Sequence, residues 1–215
     1  AYYRSDLALA VLENTHNLAG GTVYTLAQTR SAIAACRELG LRVHIDGARI
    51  WNAAVAVGVE ARELLAGADT AMVTLSKGLC APVGSLLLAS ADRIERARRI
   101  RKQWGGGMRQ VGILAAAGLL ALDTMIERLS EDHAHARLLA AALGDCASAR
   151  VAPVATNIVV ATLAGRNAPE IVDALARRGV RASAMDAVTL RLVTHRDVSR
   201  DDCERAGAVL AEVLG

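Results

Sequence analysis

A repeated order of short apolar runs and helical segments constrains the fold of this chain more than any other feature. Residues 7–12 and 41–45 are short and apolar, and a third apolar run ends just before Lys77. The segments between these runs, residues 22–39 and 50–57, have helical periodicity and are each followed by glycine. Strands that alternate with helices in this way predict an α/β domain with a mostly parallel sheet.

Each of these apolar runs is followed directly by a polar cluster. Glu-Asn-Thr-His-Asn occupies residues 13–17, Asp-Gly-Ala-Arg occupies residues 46–49, and Ser76 precedes Lys77. The carboxyl ends of parallel strands lie at one edge of a sheet, and ligands bind beyond that edge. The pattern therefore predicts that the three clusters line one crevice.

Lys77 is one of only two lysines among 25 basic residues, and it lies in a turn between two apolar runs. The second run, residues 83–89, leaves that turn at once, so both flanking segments are predicted to be core strands. An ammonium group is costly to bury there, and it is either neutralised by a partner or used as an imine-forming amine. We interpret Lys77 as a Schiff-base lysine.

The second half of the chain has a different pattern. Residues 108–143 are rich in alanine and have helical periodicity, with a kink predicted near Gly118. Beyond them we predict strands at residues 150–154, 157–163, 180–185 and 188–193, and helices at residues 169–178 and 199–214. This order indicates a small C-terminal α+β domain, and we place the domain boundary between residues 1–124 and 125–215.

Composition argues against several classes of protein. The net charge of +3 is too small to indicate nucleic-acid binding, and no uncharged apolar stretch is long enough to span a membrane. The four cysteines occur without any CxxC pairing, which argues against zinc and favours free thiols in a reducing cytosol. We therefore expect a cytoplasmic protein that binds neither nucleic acid, membrane nor metal.

Several polar residues allow two interpretations. Asp46 either caps the following helix or pairs with the protonated pyridine nitrogen that lets pyridoxal phosphate act as an electron sink. His16 is either a solvated loop residue or a proton-transfer group on which other groups converge. Arg191 is flanked by two leucines and is predicted to point away from them, whereas His133 and His135 are predicted to be solvated surface.

With these residues gathered, the chain resembles the low-specificity L-threonine aldolases of the fold type I pyridoxal-phosphate superfamily. The matching stretches are Glu-Asn-Thr-His-Asn at 13–17, His-Ile-Asp-Gly-Ala-Arg at 44–49, Leu-Ser-Lys-Gly-Leu at 75–79, Ala-Pro-Val-Gly-Ser at 81–85, Arg-Lys at 101–102, Gly-Gly-Gly-Met-Arg-Gln at 105–110 and Arg-Leu-Val-Thr-His at 191–195. The combination is specific and spans almost the whole chain. It implies the three-layer, mostly parallel sheet of a fold type I large domain, incomplete here, and a small C-terminal α+β domain.

The resemblance implies a role for each matched residue. Lys77 would hold pyridoxal 5′-phosphate as a Schiff base, and Asp46 would bind its pyridine nitrogen. Arg49 would contact the cofactor's phenolic oxygen or the substrate carboxylate, and Arg191 would clamp that carboxylate. His16 would lie beside the substrate's β-hydroxyl group. The implied reaction is retro-aldol cleavage of L-threonine and L-allo-threonine to glycine and acetaldehyde, with another lyase reaction on a β-hydroxy or β-substituted amino acid as the alternative.

The resemblance also implies an assembly and a missing segment. Arg109 and Lys102 would approach a cofactor phosphate, often across a subunit interface, in a homo-oligomer expected to be a dimer of dimers. Family members extend further at the N-terminus, where a phosphate-binding loop and a histidine that stacks on the cofactor are expected. Cys80 departs from the family pattern, which has glycine there. A chain without the N-terminal segment could instead be an inactive fragment that serves only in assembly.

Overall fold

The computed structural model describes residues 6–215 and divides into two compact units. The large unit contains the described residues up to Thr15 together with Tyr24–Glu127, and the small unit contains His16–Val23 together with Arg128–Gly215. The loop His16–Val23 therefore belongs with the C-terminal part of the chain, although it follows the first strand in sequence. No helix within the described residues is long and apolar enough to cross a membrane.

A four-stranded sheet organises the large unit. The elements in chain order are β1 (Leu9–Glu13), α1 (Leu26–Glu38), β2 (Arg42–Gly47), α2 (Ile50–Val57), α3 (Ala61–Leu65), β3 (Thr70–Thr74), β4 (Ser85–Ala89), α4 (Ala91–Gln103) and α5 (Gly112–Thr124). The strands lie in the order β1-β2-β3-β4, with the first three parallel and β4 antiparallel to β3. The predicted α/β architecture with a mostly parallel sheet is confirmed.

Local sequence signals fix the ends of the helices around this sheet. The Thr25 hydroxyl accepts a hydrogen bond from the backbone N–H of Gln28, and the Gln28 side chain accepts one from the backbone N–H of Thr25, so the two residues form a capping box at the start of α1. Gly40 and Gly58 follow α1 and α2 with φ values of +71° and +68°. Glycine takes this left-handed conformation without strain, and both helix ends agree with the sequence prediction.

Asp69 joins three elements of the large unit just before β3 begins. Its carboxylate accepts a hydrogen bond from the backbone N–H of Val43 at 2.9 Å and forms ion pairs with Arg37 at 2.7 Å and Arg93 at 3.0 Å. The hydrogen bond from Val43, followed by the two arginines, lowers the pKa of Asp69 below its ordinary value. One carboxylate thus links α1, β2 and α4.

The small unit is an α+β structure built on an antiparallel sheet. Its elements are α6 (Leu129–Gly144), β5 (Ala149–Val151), β6 (Ile158–Leu163), α7 (Ala168–Arg177), β7 (Ser183–Ala184), β8 (Thr189–Val193) and α8 (Arg200–Leu214). The strands lie in the order β5-β6-β8-β7, and each neighbouring pair is antiparallel. Fully buried side chains that include Leu143, Val159, Leu175, Leu190 and Leu210 form its core.

The prediction of one long helix over residues 108–143 is wrong. The structure has two helices, α5 and α6, and the chain is not helical in the segment 125–128. Gly118 lies within α5, whose helical hydrogen-bonded run continues from Gly112 to Thr124. A Cβ at Gly118 would lie 2.9 Å from Leu75 Cδ1, so this glycine allows the helix to pack closely on the turn after β3.

The prediction that His133 and His135 are solvated is wrong for His133, which is only 4% exposed. His133 follows Asp132, whose side chain is fully buried and pairs with Arg128 at 2.6 Å. The hydroxyl of Thr194, the residue that follows β8, donates to the backbone carbonyl of Asp132 at 2.5 Å and ties this turn of α6 to the end of that strand. Burial lowers the pKa of His133, because the charged imidazolium loses hydration.

Candidate active site

The carboxyl ends of β1 and β2 place two acidic residues side by side. Glu13 and Asp46 are direct partners in the parallel register, and the backbone N–H of Asn14 donates to the carbonyl of Asp46 at 3.0 Å. The third parallel strand ends at Thr74, and the chain then turns through Lys77. The polar residues that end these three strands therefore lie at one edge of the sheet.

Three charged side chains determine the electrostatic environment of Lys77. The pKa of Lys77 lies below the ordinary value for lysine, because partial burial disfavours the ammonium form and Arg49 adds a nearby positive charge. Asp46 and Glu13 oppose this shift, because their negative charges stabilise the ammonium. A lowered pKa increases the fraction of neutral amine, which is the nucleophilic form of lysine.

The side chain of Lys77 is exposed, which corrects the expectation of a lysine between two core strands. β3 is mostly buried, but Leu86, Leu87 and Leu88 of β4 keep 43–44% of their surface accessible. Among residues 6–215, β4 lies at the edge of the sheet and pairs with β3 alone. The ammonium of Lys77 therefore loses less hydration than the apolar sequence around it indicated.

The turn that presents Lys77 requires a left-handed residue at position 80. Cys80 has φ +59° and is the one non-glycine residue with positive φ within residues 6–215. Its backbone N–H donates to the carbonyl of Lys77 at 3.0 Å, and the N–H of Ala81 donates to the carbonyl of Leu75 at 3.0 Å. Glycine is the residue that favours this conformation, which gives a physical reason for the glycine expected there from the resemblance.

Asp46 does not cap the helix that follows it. Its Oδ1 accepts a hydrogen bond from the backbone N–H of Ala48 at 3.0 Å, two residues along the chain. The N-cap of α2 is Arg49, whose side chain makes no capping hydrogen bond. The carboxylate thus stabilises the turn between β2 and α2 through one oxygen, and the capping interpretation is wrong.

Arg191 lies on β8 and is paired with a loop residue of the same unit. Its Nη2 donates to Oδ1 of Asn17 at 2.8 Å. Leu190 and Leu192 are buried at 0% and 4% exposure, so the alternation of the strand directs Arg191 to the opposite face, as the sequence predicted. The Nε of Arg191 is buried and has no hydrogen-bond partner within the described residues, and burial lowers the pKa of the guanidinium. An anionic ligand group would satisfy this buried donor.

His16 begins the short loop that also carries Asn17. The backbone of His16 pairs with Thr22 in an isolated antiparallel bridge, and the N–H of Ala19 donates to Nδ1 of the imidazole at 3.1 Å. A ring nitrogen that accepts a hydrogen bond carries no proton, so the neutral ring holds its proton on Nε2. His16 therefore presents an N–H donor on the side away from Ala19.

Arg109 and Lys102 are exposed residues of the large unit. Lys102 lies in the last turn of α4, and its side chain lies along Gly107, where an added Cβ would be 2.6 Å from Lys102 Cδ. Arg109 follows in the non-helical segment between α4 and α5. Within the described chain, the structure does not join either side chain to Asp46 or Lys77 by a hydrogen bond or ion pair. The sequence predictions for these two residues stay predictions.

Two residues near these groups were not assigned a role from the sequence alone. Glu13 acts on Lys77 through its charge, and strand register brings it beside Asp46. Asn17 holds Arg191, a partner 174 positions away in sequence. The sequence feature that could have indicated both residues is their position in a polar cluster after a strand.

Among residues 6–215, no group of three or more His, Cys, Asp or Glu side chains is arranged to hold a metal ion.

Comparison with solved structures identifies the fold. A threonine aldolase from Leishmania major superposes with a TM-score of 0.77 at 23% sequence identity, covering 97% of this chain and 61% of that chain. At this identity the likeness concerns the fold alone.

Comparison with known sequences identifies the family. The model of the beta-eliminating lyase family matches residues 1–166. A low specificity L-threonine aldolase from Escherichia coli O157:H7 is 45% identical over 200 residues, which are 93% of this chain and 58% of that protein. Low-specificity L-threonine aldolase 1 from Arabidopsis thaliana is 38% identical, over 90% of this chain and 56% of that protein. The chain belongs to the beta-eliminating lyase family and spans little more than half the length of these curated relatives.

Proposed function

We propose that the protein is a pyridoxal 5′-phosphate-dependent aldehyde-lyase that cleaves L-threonine and L-allo-threonine to glycine and acetaldehyde. The proposal is carried by one observation: a lysine of lowered pKa lies at the carboxyl edge of a parallel sheet, within the electrostatic influence of Asp46. The names of relatives 45% and 38% identical to the chain support the threonine aldolase reaction. The protein would then supply glycine and consume threonine.

The residues at this edge fit the proposed cofactor. Lys77 supplies an amine for the cofactor's aldehyde, and its lowered pKa favours the neutral form needed for bonding. Asp46 uses one carboxylate oxygen in its own turn, and the other can accept a hydrogen bond from a pyridine nitrogen. When bound, pyridoxal phosphate provides an electron sink for the electron pair released by cleavage at Cα. Arg49 would contact an oxygen of the cofactor or the substrate carboxylate.

Arg191 and His16, which the resemblance assigns to the amino-acid substrate, both belong to the small unit. Arg191 has a buried Nε without a partner, and a substrate carboxylate would accept hydrogen bonds from Nε and the neighbouring Nη. His16 presents Nε2–H, which can donate to the β-hydroxyl oxygen of threonine. We assign His16 to the orientation of that hydroxyl group, because its other nitrogen is occupied by Ala19.

Assembly and compartment are also part of the proposal. Arg109 and Lys102 would contact a cofactor phosphate across a subunit interface in a dimer of dimers. Ile113, Leu119 and Leu120 of α5 are 90%, 63% and 64% exposed, and burial between subunits would remove this apolar surface from water. The cytoplasmic location is proposed from the sequence, because its four cysteines occur without any CxxC pairing.

A second candidate is β-elimination, because the matched family is described as beta-eliminating lyases. The products separate the two reactions. Purified protein with added cofactor and L-threonine is expected to release acetaldehyde and glycine in equal amounts. Ammonia with a 2-keto acid would establish β-elimination instead, and the absence of both product pairs would favour an inactive fragment that serves in assembly.

A further inference from the structure

The hydrogen bond between Asn17 and Arg191 points to a role for Asn17 in substrate recognition. We infer that Asn17 positions the guanidinium of Arg191 while leaving its positive charge uncompensated, so that the charge is available to the carboxylate of an amino-acid ligand. The inference rests on the proposed function, since it takes an amino acid as the ligand. It assigns Asn17 as a positioning residue that acts through Arg191.

The loop that carries Asn17 packs directly on the segment that enters β6 and on β6 itself. Thr156 Oγ1 donates to the carbonyl of Gly21 at 3.2 Å. A Cβ added to Gly21 would lie 2.7 Å from Thr156 Oγ1. A Cβ added to Gly20 would lie 3.3 Å from Val160 Cγ2. Both glycines have positive φ, so the absence of side chains allows the loop backbone to approach the strand closely.

This packing fixes the amide of Asn17 relative to Arg191. Val160 is the register partner of Arg191 across β6 and β8, so the loop is held against the strand next to the arginine. The N–H of Gly20 also donates to the carbonyl of Asn17 at 3.2 Å, which closes the loop behind the side chain. With Oδ1 at 2.8 Å from Nη2, the amide restricts a long side chain that would otherwise sample many rotamers.

The chemical nature of the acceptor matters as much as its position. Arg191 is half-buried, and its Nε has no partner within the described residues. A carboxylate at position 17 would form a strong pair with this partly desolvated cation and would repel a second carboxylate. The amide oxygen of Asn17 accepts the same hydrogen bond without a net charge. The arginine is therefore oriented and remains attractive to an anion.

Charge and geometry can be separated by two substitutions at position 17. Asn17→Asp keeps the shape and the acceptor oxygen but adds a negative charge, whereas Asn17→Ser shortens the side chain and adds none. We would titrate the cofactor-loaded protein with L-threonine and with 1-aminopropan-2-ol, which has the same amine and hydroxyl groups but no carboxylate. Asn17→Asp is expected to weaken L-threonine binding by about 10- to 100-fold and to leave the amino alcohol unchanged. Asn17→Ser is expected to weaken L-threonine binding less.

Two further variants serve as references. Asn167→Asp adds the same charge at the N-cap of α7, where Asp and Asn cap equally well, and is expected to bind L-threonine like the unmodified protein. Arg191→Ala gives the loss expected when the carboxylate contact is removed. If Asn17→Asp does not fold, Asn17→Ser decides, since a loss as large as that of Arg191→Ala would contradict the inference.

Three results would overturn the inference: unchanged L-threonine affinity in Asn17→Asp, an equal loss for both ligands, or a larger loss in Asn17→Ser than in Asn17→Asp. The proposed reaction is tested by a different measurement. If the protein binds L-threonine with the predicted variant effects but releases no acetaldehyde, the role of Asn17 is supported and the aldolase reaction is contradicted. If the Asn17→Asp variant cleaves threonine normally, only the inference about Asn17 is contradicted. If the unmodified protein binds no L-threonine, both the inference and the proposed reaction are contradicted.

Discussion

Glu13 and Asp46 face each other as register partners at the carboxyl ends of β1 and β2, and both act through their charges on Lys77. The relationship explains how residues from separate parts of the sequence form one electrostatic environment. The pairing of β1 with β2 fixes the positions of the Glu13 and Asp46 carboxylates, and the turn after β3 brings the amine of Lys77 to the same edge of the sheet. Arg49 lies close enough to lower the lysine pKa, which the carboxylates alone would raise.

Asp46→Asn is expected to reduce kcat for threonine cleavage by about 100-fold or more, because a neutral amide stabilises a protonated pyridine nitrogen far less than a carboxylate does. Asp92→Asn is the matched control, since it removes the same charge from an exposed carboxylate in the first turn of α4. Steady-state kinetics with L-threonine and saturating cofactor measures both. Equal kcat values for Asp46→Asn and Asp92→Asn would remove Asp46 from the proposed site.

Arg49→Gln is expected to shift the pH dependence of cofactor capture to higher pH. Arg49 lowers the pKa of Lys77, so removing its charge raises that pKa and leaves less neutral amine at a given pH. The measurement is the rate at which cofactor-free protein takes up pyridoxal phosphate across a pH series. A shift to lower pH would contradict the assigned effect of Arg49.

Cys80→Gly is expected to stabilise the protein by about 1 kcal/mol, because a non-glycine residue at positive φ is strained and glycine is not. The same substitution at Cys36, inside α1, is expected to destabilise by a similar amount, about 1 kcal/mol, since glycine weakens a helix. Urea unfolding of both variants and the parent compares the free energies of unfolding. Destabilisation by Cys80→Gly would show that its side chain contributes more than its backbone strain costs.

Asp69→Asn is expected to destabilise the protein by about 2 kcal/mol at neutral pH, because Arg37 and Arg93 lose their charged partner. The pKa of Asp69 is lower in the folded protein than its ordinary value of 3.8. Its carboxylate therefore contributes stability above that ordinary value, and the contribution disappears as pH falls through the lowered pKa. The difference between the variant and its parent should shrink in acid.

The exposed ion pair between Glu95 and Arg99 provides the control for Asp69. Glu95→Gln removes the same charge from a pair in the same unit and is expected to change stability by less than about 1 kcal/mol. Urea unfolding at neutral and acid pH gives both comparisons. A difference between Asp69→Asn and its parent that stays constant across this pH range would exclude the predicted titration.

Much of the fold followed from local sequence, because apolar runs and glycine positions act over a few residues. The strand that ends with Asp46 and Gly47, the strand that precedes Lys77, and the helix ends at Gly40 and Gly58 agree with the prediction to within one or two residues. Burial depended on distant partners. Asp132 and His133 form a polar segment in the sequence but are buried, and Thr194, 62 positions further along the chain, donates a hydrogen bond to the backbone carbonyl of Asp132.

The candidate site was also predictable only where it depends on local sequence. Sequence pattern placed Asp46 and Lys77 after neighbouring parallel strands, which is a property of local order. Lys77 lies in an exposed turn, and the apolar sequence on either side of it does not state whether the faces of those strands are covered. The contact between Asn17 and Arg191 depends on a loop that packs on a distant sheet, so no local pattern indicates it.

The most direct test of the account is to locate the bond between the cofactor and the protein. Sodium borohydride reduces an imine to a stable amine, so treatment of the cofactor-loaded protein followed by peptide mass spectrometry identifies the lysine that holds the cofactor. Lys77 and Lys102 are the two lysines of this sequence, which makes the result unambiguous within it. We expect the added mass on the peptide that contains Lys77 and its loss in Lys77→Ala. An adduct on Lys102, or on neither lysine, would contradict the account.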